Sequence, residues 1–318
     1  MQTPGASRTA RIERASFFVC SVFAVGAVGL LVAFDVSVEP QSLAIALTLF
    51  GFLGGAYLVY GRARPEPVLS NLCGGLAVLA CSGAMAGIIS LVGLRYGAPL
   101  IDAHLADLDR NMGVHTPDIV RLLSGSPLVI QLLDLAYESS FPLLGCLMVF
   151  LAVTRRFTQM WTLAFVFAVT VVICTTISVP IPARGAFAHF AYTSDILDQL
   201  PPQAGIYHLV KFDYYRHHAE PIISFAHLQG VVTFPSFHCC LALMTVAACH
   251  GIRWLAPLSV GWNVLVIVST LPVGGHYAID LPVGAMVWLA AALAAQALTA
   301  GRVRHTSVTE ISGHASQS

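Results

Sequence analysis

Eight runs of apolar residues, each about long enough to cross a bilayer and nearly free of charge, constrain this chain more than any other feature. They cover roughly 16–34, 42–60, 72–94, 127–153, 158–180, 232–250, 253–271 and 276–298. A hydrocarbon core about 30 Å thick takes roughly 20 residues of helix, because in lipid every backbone N–H and C=O must be bonded within the protein. The expected fold is therefore an all-α, polytopic integral membrane bundle of about eight transmembrane helices. Composition agrees, with 57% hydrophobic and 10% charged residues, against roughly 25% charged in a soluble domain.

The first run follows Arg8, Arg11 and Arg14, a basic start shared with signal peptides, but no small-residue cleavage site comes after it, so a retained helix is expected. All eight cysteines fall inside apolar runs, where they serve as small packing residues rather than a disulfide framework. Zero formal net charge without a basic stripe argues against a nucleic-acid partner and leaves membrane lipid as the expected one. Loops retained in the cytoplasm carry an excess of Lys and Arg. The sixteen basic residues divide ten to six in favour of the side that holds Arg8, Arg62, Arg155 and Arg253. That side reads as cytoplasmic, with both termini there, in a plasma or inner membrane.

Two long connections, about 95–126 and 181–231, then lie on the outer face, and long ordered connections are usually functional. In the first, Leu105, Leu108, Met112 and Leu122 alternate with Asp102, Asp107, Asp109 and Arg110, which fits either amphipathic helices along the interface or a solvated connector. Gly51-Phe-Leu-Gly-Gly55 and Gly83-Ala-Met-Ala-Gly87 predict small-residue helix-packing faces.

Polar chemistry concentrates at the outer ends of the sixth and eighth runs. In Thr233-Phe-Pro-Ser-Phe-His-Cys239, Thr233 is expected to cap a helix and Pro235 to sit in its first turn. The N–H groups around Ser236 to His238 would then favour a phosphate. In Gly274-Gly-His-Tyr-Ala-Ile-Asp280, His276 and Asp280 stand four residues apart at a predicted helix start. Such neighbours let a carboxylate hold one imidazole N–H and leave the other nitrogen exposed. Taken singly, each motif also fits an interfacial histidine or a helix-capping ion pair. The seventh run returns the chain to the same face, so His238 and His276 are expected to meet although 38 positions separate them. Together the residues supply a nucleophile, its orienting partner, a proton donor and an anion cradle for attack on phosphorus, with no metal or other cofactor required.

Phe234-Pro-Ser-Phe-His238 followed by Gly275-His-Tyr-Ala-Ile-Asp280 resembles the paired motifs of the type 2 phosphatidic acid phosphatase superfamily. The closer resemblance is to its inositol phosphorylceramide synthase and sphingomyelin synthase branch, and it covers roughly 72–298. It implies a six-helix core, met here by the third to eighth runs, and a His-His-Asp triad of His238, His276 and Asp280 acting on a lipid head group or lipid phosphate. In that mechanism His276 attacks phosphorus to form a phosphohistidine, Asp280 stabilises the imidazolium, and His238 protonates the leaving oxygen before activating water or an acceptor alcohol or polyol. The phosphatase branch's Lys-x6-Arg-Pro motif is missing, and Thr270 stands where its third motif has arginine. Arg184 is the expected replacement in the phosphate cage, with Lys211 and Arg216 as further candidates and Ser236 and Tyr277 as substrate contacts.

This reading divides the chain into an N-terminal part with two additional helices of no assigned role, 1–71, a catalytic core, 72–300, and a polar cytoplasmic tail, 301–318, expected to be disordered. Asp134, Tyr137 and Glu138 in the fourth run either position an acceptor head group or are neutralised inside the bundle. His189, His208, His217, His218 and His227 lack zinc-ligand spacing. Phe187, Phe190, Tyr192, Tyr207, Phe212, Tyr214 and Tyr215 form an interfacial belt or a lid over the pocket. The other functional class is a transporter or lipid-binding protein that keeps a histidine-aspartate site. Broken-helix repeats in both halves would favour it, whereas the paired motifs stand only in the C-terminal part.

Overall fold

The computed structural model describes residues 4–300, so the predicted tail 301–318 lies outside the described residues. Thirteen α-helices are present among them. The first three are α1 (Pro4–Ala33), α2 (Pro40–Leu58) and α3 (Pro67–Gly93). A connection with α4 (Asp102–Asn111) and α5 (Thr116–Ser124) leads to α6 (Pro127–Val153) and α7 (Phe157–Ser178). The second long connection carries α8 (Ala186–His189), α9 (Ser194–Leu197) and α10 (Leu209–His217). The chain closes with α11 (Phe237–Ala248), α12 (Leu255–Ser269) and α13 (Asp280–Thr299). Two-residue strands, β1 (Ser37–Val38) and β2 (Ile222–Ile223), pair in parallel. The chain is an all-α polytopic membrane bundle.

Local sequence explains where the helices start. Pro40, Pro67, Pro117 and Pro127 open α2, α3, α5 and α6, where a missing N–H costs nothing and the fixed φ already suits the helix. Six helices, α1, α2, α3, α6, α7 and α13, are long and apolar enough to cross a bilayer. The other two apolar helices, α11 and α12, have 12 and 15 residues, about 18 and 22 Å of rise, and are shorter than the predicted runs. Phe234 precedes a proline and is biased away from helix, so α11 starts only at Phe237. Residues 228–236 therefore approach as non-helical backbone, tolerated at this depth because it lines a cavity.

The centre of the bundle is α3 against α7, with Met148, Met160, Trp161 and Leu91 fully enclosed. Lipid tails are as apolar as leucine, so contact between helices depends on close fit and polar bonds. Trp161 Nε1 accordingly donates to Asn71 Oδ1 at 2.7 Å, and a Cβ on Gly75 would meet Met148 at 2.6 Å. Of the two predicted small-residue faces, Gly87 does pack tightly, its Cβ position lying 2.8 Å from Leu228. Gly51, Gly55 and Gly83 instead face open space, with no neighbouring atom within 4 Å of a Cβ. The two N-terminal helices also differ: α1 packs against α3, α7 and α13, whereas α2 rests mainly on α3 and leaves Ile45 and Phe52 exposed. The start of α2 is pinned by Ser224 Oγ donating to Glu39 Oε2 (2.6 Å) and Phe225 N donating to Ser42 Oγ (3.0 Å).

Candidate active site

The start of α11, the turn before α13, the second long connection and the inner faces of α3, α6 and α7 enclose a cavity of about 370 Å³. His238 and His276 both line it, together with Tyr137, Tyr207, His208 and Thr233. Bringing two histidines 38 positions apart into one chamber is what the alternation of spans predicted.

His276 stands before α13 rather than inside it. Gly275 at φ +74° breaks the chain direction, and the helix begins at Asp280, four residues later than the predicted 276. The histidine-aspartate contact survives this change because it closes a tight turn at the helix start: His276 Nδ1 lies 3.0 Å from Asp280 Oδ2, and both side chains are buried. A carboxylate at Nδ1 fixes the proton there and leaves Nε2 with its lone pair. Tyr277 N donates to the same Oδ2 at 2.9 Å, so two donors orient the carboxylate.

The cap assignments of the sixth run need correction. Ser236, not Thr233, caps α11, its Oγ accepting from Cys239 N at 3.4 Å. Thr233 Oγ1 donates to the carbonyl of Ala183, and Pro235 precedes the helix, with the Phe234–Pro235 peptide cis. Ser236 N donates to Asp280 O (3.2 Å), tying the two histidine-bearing helix starts together. The N–H groups of Phe237 and His238 open the helix without intrahelical acceptors and form the positive end of its dipole. His238 itself is held by rings, stacked on Tyr137 with centroids 4.0 Å apart and edge-on to Phe141 at 5.7 Å.

Residues outside the two motifs hold the His276 turn. On α4, Asp102 and Asp109 are both buried, two helical turns apart on one face. Asp109 accepts from Ala278 N (2.9 Å), Ile279 N (2.8 Å) and the Thr116 hydroxyl. Asp102 accepts from Arg184 N (3.0 Å), Gly185 N (2.9 Å) and Tyr277 Oη (3.0 Å). The face of α4 expected to be solvated thus turns inward as a clamp, while Leu108 and Met112 are exposed. Backbone bonds from Ala186 N to Gly275 O (2.8 Å) and Gly205 N to Val273 O (2.7 Å) add a second attachment. Gly185 and Gly275 have positive φ, and a Cβ on Gly185 would meet Gly275 O at 2.9 Å, so this crossing requires glycine.

The three expected substrate contacts do not line the cavity. Ser236 is fully buried as a cap. Tyr277 is also enclosed, and burial with Asp102 beside it pushes its phenol well above the ordinary tyrosine range, keeping it a donor. Arg184 directs its guanidinium to Asp213 on α10, with Nη2 to Oδ2 at 2.8 Å. Its carbonyl reaches the site, accepting from His208 Nε2 at 2.8 Å. Lys211 and Arg216 also bond elsewhere, to the carbonyls of His227 and Ala98.

Residues with other expected roles line the cavity instead, His208, Tyr137, Tyr207 and Thr233 among them. His208 is one of five histidines in the second connection that lack zinc-ligand spacing, and nothing local in the sequence marks it out. Because Nε2 must carry the proton it donates to Arg184 O, neutral His208 has its lone pair on Nδ1. Burial lowers its proton affinity below the ordinary histidine value. Tyr137, from the cluster with Asp134 and Glu138, lines the cavity and shares a 3.0 Å hydrogen bond with Tyr207. Glu138 is exposed and Asp134 half-buried, and neither reaches the chamber. Among the aromatics of the second connection, Phe212 and Tyr215 belong to the packed core and Phe187 stacks on Tyr192 at 4.3 Å.

No curated protein and no solved structure matches the chain. Residues 103–294, more than half of its length, do match the model of one family, and the match runs from within α4 through both histidine motifs. With that match laid over the cavity, the chain belongs to the PAP2 superfamily.

Proposed function

We propose that the protein cleaves the phosphoester of a membrane lipid through a covalent phosphohistidine at His276 and passes the group to water or to an acceptor alcohol. Superfamily membership supports phosphatase-type chemistry on phosphoesters. The observation that carries the finer reading is the 3.0 Å contact of His276 Nδ1 with buried Asp280 in a chamber shared with His238. The lone pair of Nε2 forms the N–P bond as the P–O bond to the leaving group breaks, and the leaving oxygen takes a proton from His238. Asp280 stabilises the imidazolium of His276. Neutral His238 then takes a proton from water or an alcohol, whose oxygen attacks phosphorus and releases His276. The N–H groups at the start of α11 face the charge that builds on the phosphoryl oxygens.

The excess of basic residues on the opposite side supports an orientation with both termini cytoplasmic and the chamber at the outer face. The paired motifs fit the head-group transferase branch as well as the phosphatase branch, and the acceptor that enters decides the product. The test incubates phosphate-labelled lipid with purified wild type and His276→Ala protein in EDTA, with and without inositol. Free phosphate or a new phospholipid from wild type alone is the expected result. Equal turnover by the variant would overturn the assignment.

A further inference from the structure

A second, apolar groove of about 450 Å³ runs beside the histidine chamber, walled by α2, α3 and α6. Gly83, Phe141, Phe167 and Leu228 line both, so the two spaces are direct neighbours with these residues as their common border. The groove has an enclosed floor, with Ser42, Ala46 and Leu144 buried, and an open rim, with Ile45 68% and Leu49 50% exposed towards the membrane side of α2. Its α2 wall runs from Ser42 to Phe50, about 12 Å of rise. That is most of the roughly 15 Å that one leaflet contributes to a 30 Å hydrocarbon core. The end near Ser42 lies on the side of the histidine chamber, where Phe225 N holds the Ser42 hydroxyl.

From this adjacency we infer that the groove holds a hydrocarbon chain of the lipid whose phosphate sits between His238 and His276. The inference rests on the reading proposed above and gives α2 a function: it forms the outer wall of the substrate's chain site. A chain entering from the bilayer exchanges one apolar surround for another. Selectivity therefore comes from fit, and from the attachment of the chain to a head group held in the chamber. Gly83 and Gly145 matter most in this account. Both line the groove, and neither has an atom within 4 Å of where a Cβ would stand, unlike Gly74, Gly75 and Gly87, which are closed by neighbouring side chains. Because both glycines stand in the groove wall, the open space beside them is room within the groove.

The experiment introduces Gly145→Leu and, separately, Gly83→Leu into the full chain, both in helices where leucine is a better helix former than glycine. Turnover is measured on a long-chain lipid phosphate, on its short-chain homologue and on p-nitrophenyl phosphate. The groove predicts a fall in kcat/KM on the long-chain substrate of at least about tenfold, in keeping with the cost of a misfit in an apolar pocket. Turnover of p-nitrophenyl phosphate by Gly145→Leu should stay within about twofold of wild type, because Gly145 lines the groove but not the chamber. Unchanged chain-length dependence in both variants, or equal loss on all three substrates, would overturn the chain site while leaving the catalytic reading intact. Wild-type protein inactive on every phosphoester would overturn the catalytic reading, and the chain site with it.

Discussion

The two cavity histidines of the paired motifs are held in opposite ways. His276 sits in a turn fixed by hydrogen bonds: Asp280 on its Nδ1, Asp109 and Asp102 on its flanking residues, and backbone bonds to Ala186 and Gly205. The side chain of His238 makes no hydrogen bond among the described residues and rests on aromatic faces. The difference suits two tasks. A nucleophile needs one tautomer and one direction of attack, whereas a group that first gives and then takes a proton needs one nitrogen free to meet the leaving and attacking oxygens and a ring held in position.

The comparison breaks first at His276. His276→Ala is expected to abolish turnover, and Asp280→Asn, which spoils the tautomer, to lower kcat by about 10⁴-fold. His238→Ala should lower kcat by about 10²–10⁴-fold, the usual worth of a general acid-base group. Tyr137→Phe, which keeps the stacked ring and loses only the bond to Tyr207, should cost less than about tenfold. Steady-state kinetics on one labelled lipid ranks all four variants. A Tyr137→Phe loss as large as that of His238→Ala would mean that the hydroxyl, not the ring, is the essential contact.

Smaller effects sharpen the role of the clamp. Asp109→Ala strands the N–H groups of Ala278 and Ile279. Thermal unfolding in detergent should show a loss of about 2 kcal/mol or more, and kcat should fall by about 10–100-fold as the turn loosens. A stable, fully active Asp109→Ala protein would show that the hydrogen bonds do not set the geometry. The smallest effect concerns His208. Its proton affinity is lowered by burial, so the unfolded chain binds the proton more readily. Its contribution to stability is complete above the ordinary histidine value of about 6.5 and declines as pH falls below it towards the lowered folded value. His208→Gln should flatten that part of the stability profile, and an unchanged profile would contradict this.

Much of this was legible in the sequence, for identifiable reasons. Apolar runs and short loops are a local signal, and they predicted the bundle and placed the two motifs on one side. The 12-residue length of α11 is harder to read, because residues 232–236 continue the apolar run although the chain is not yet helical before Phe237. His276 and Asp280 were paired by helical spacing and are paired in fact by a turn, since a carboxylate four residues on is within reach in either geometry. Arg184 was chosen for its charge, yet its backbone is what the site uses. The carboxylates of α4 were missed because an alternation of Leu and Asp has the same pattern whether the acidic face meets water or a buried row of N–H donors. His208 depends on long-range bonds that no local pattern encodes.

The central claim is that His276 carries the phosphoryl group. Its most direct test is rapid acid-free quenching of protein mixed with phosphate-labelled lipid, followed by measurement of label bound to protein and its lability to acid. Wild type should hold acid-labile, base-stable label that maps to His276 and is absent from His276→Ala, and His238→Ala, which slows both half-reactions, should gain and lose that label more slowly. Label of the same character in His276→Ala, or turnover by wild type with no such label at any time of quenching, would contradict the account.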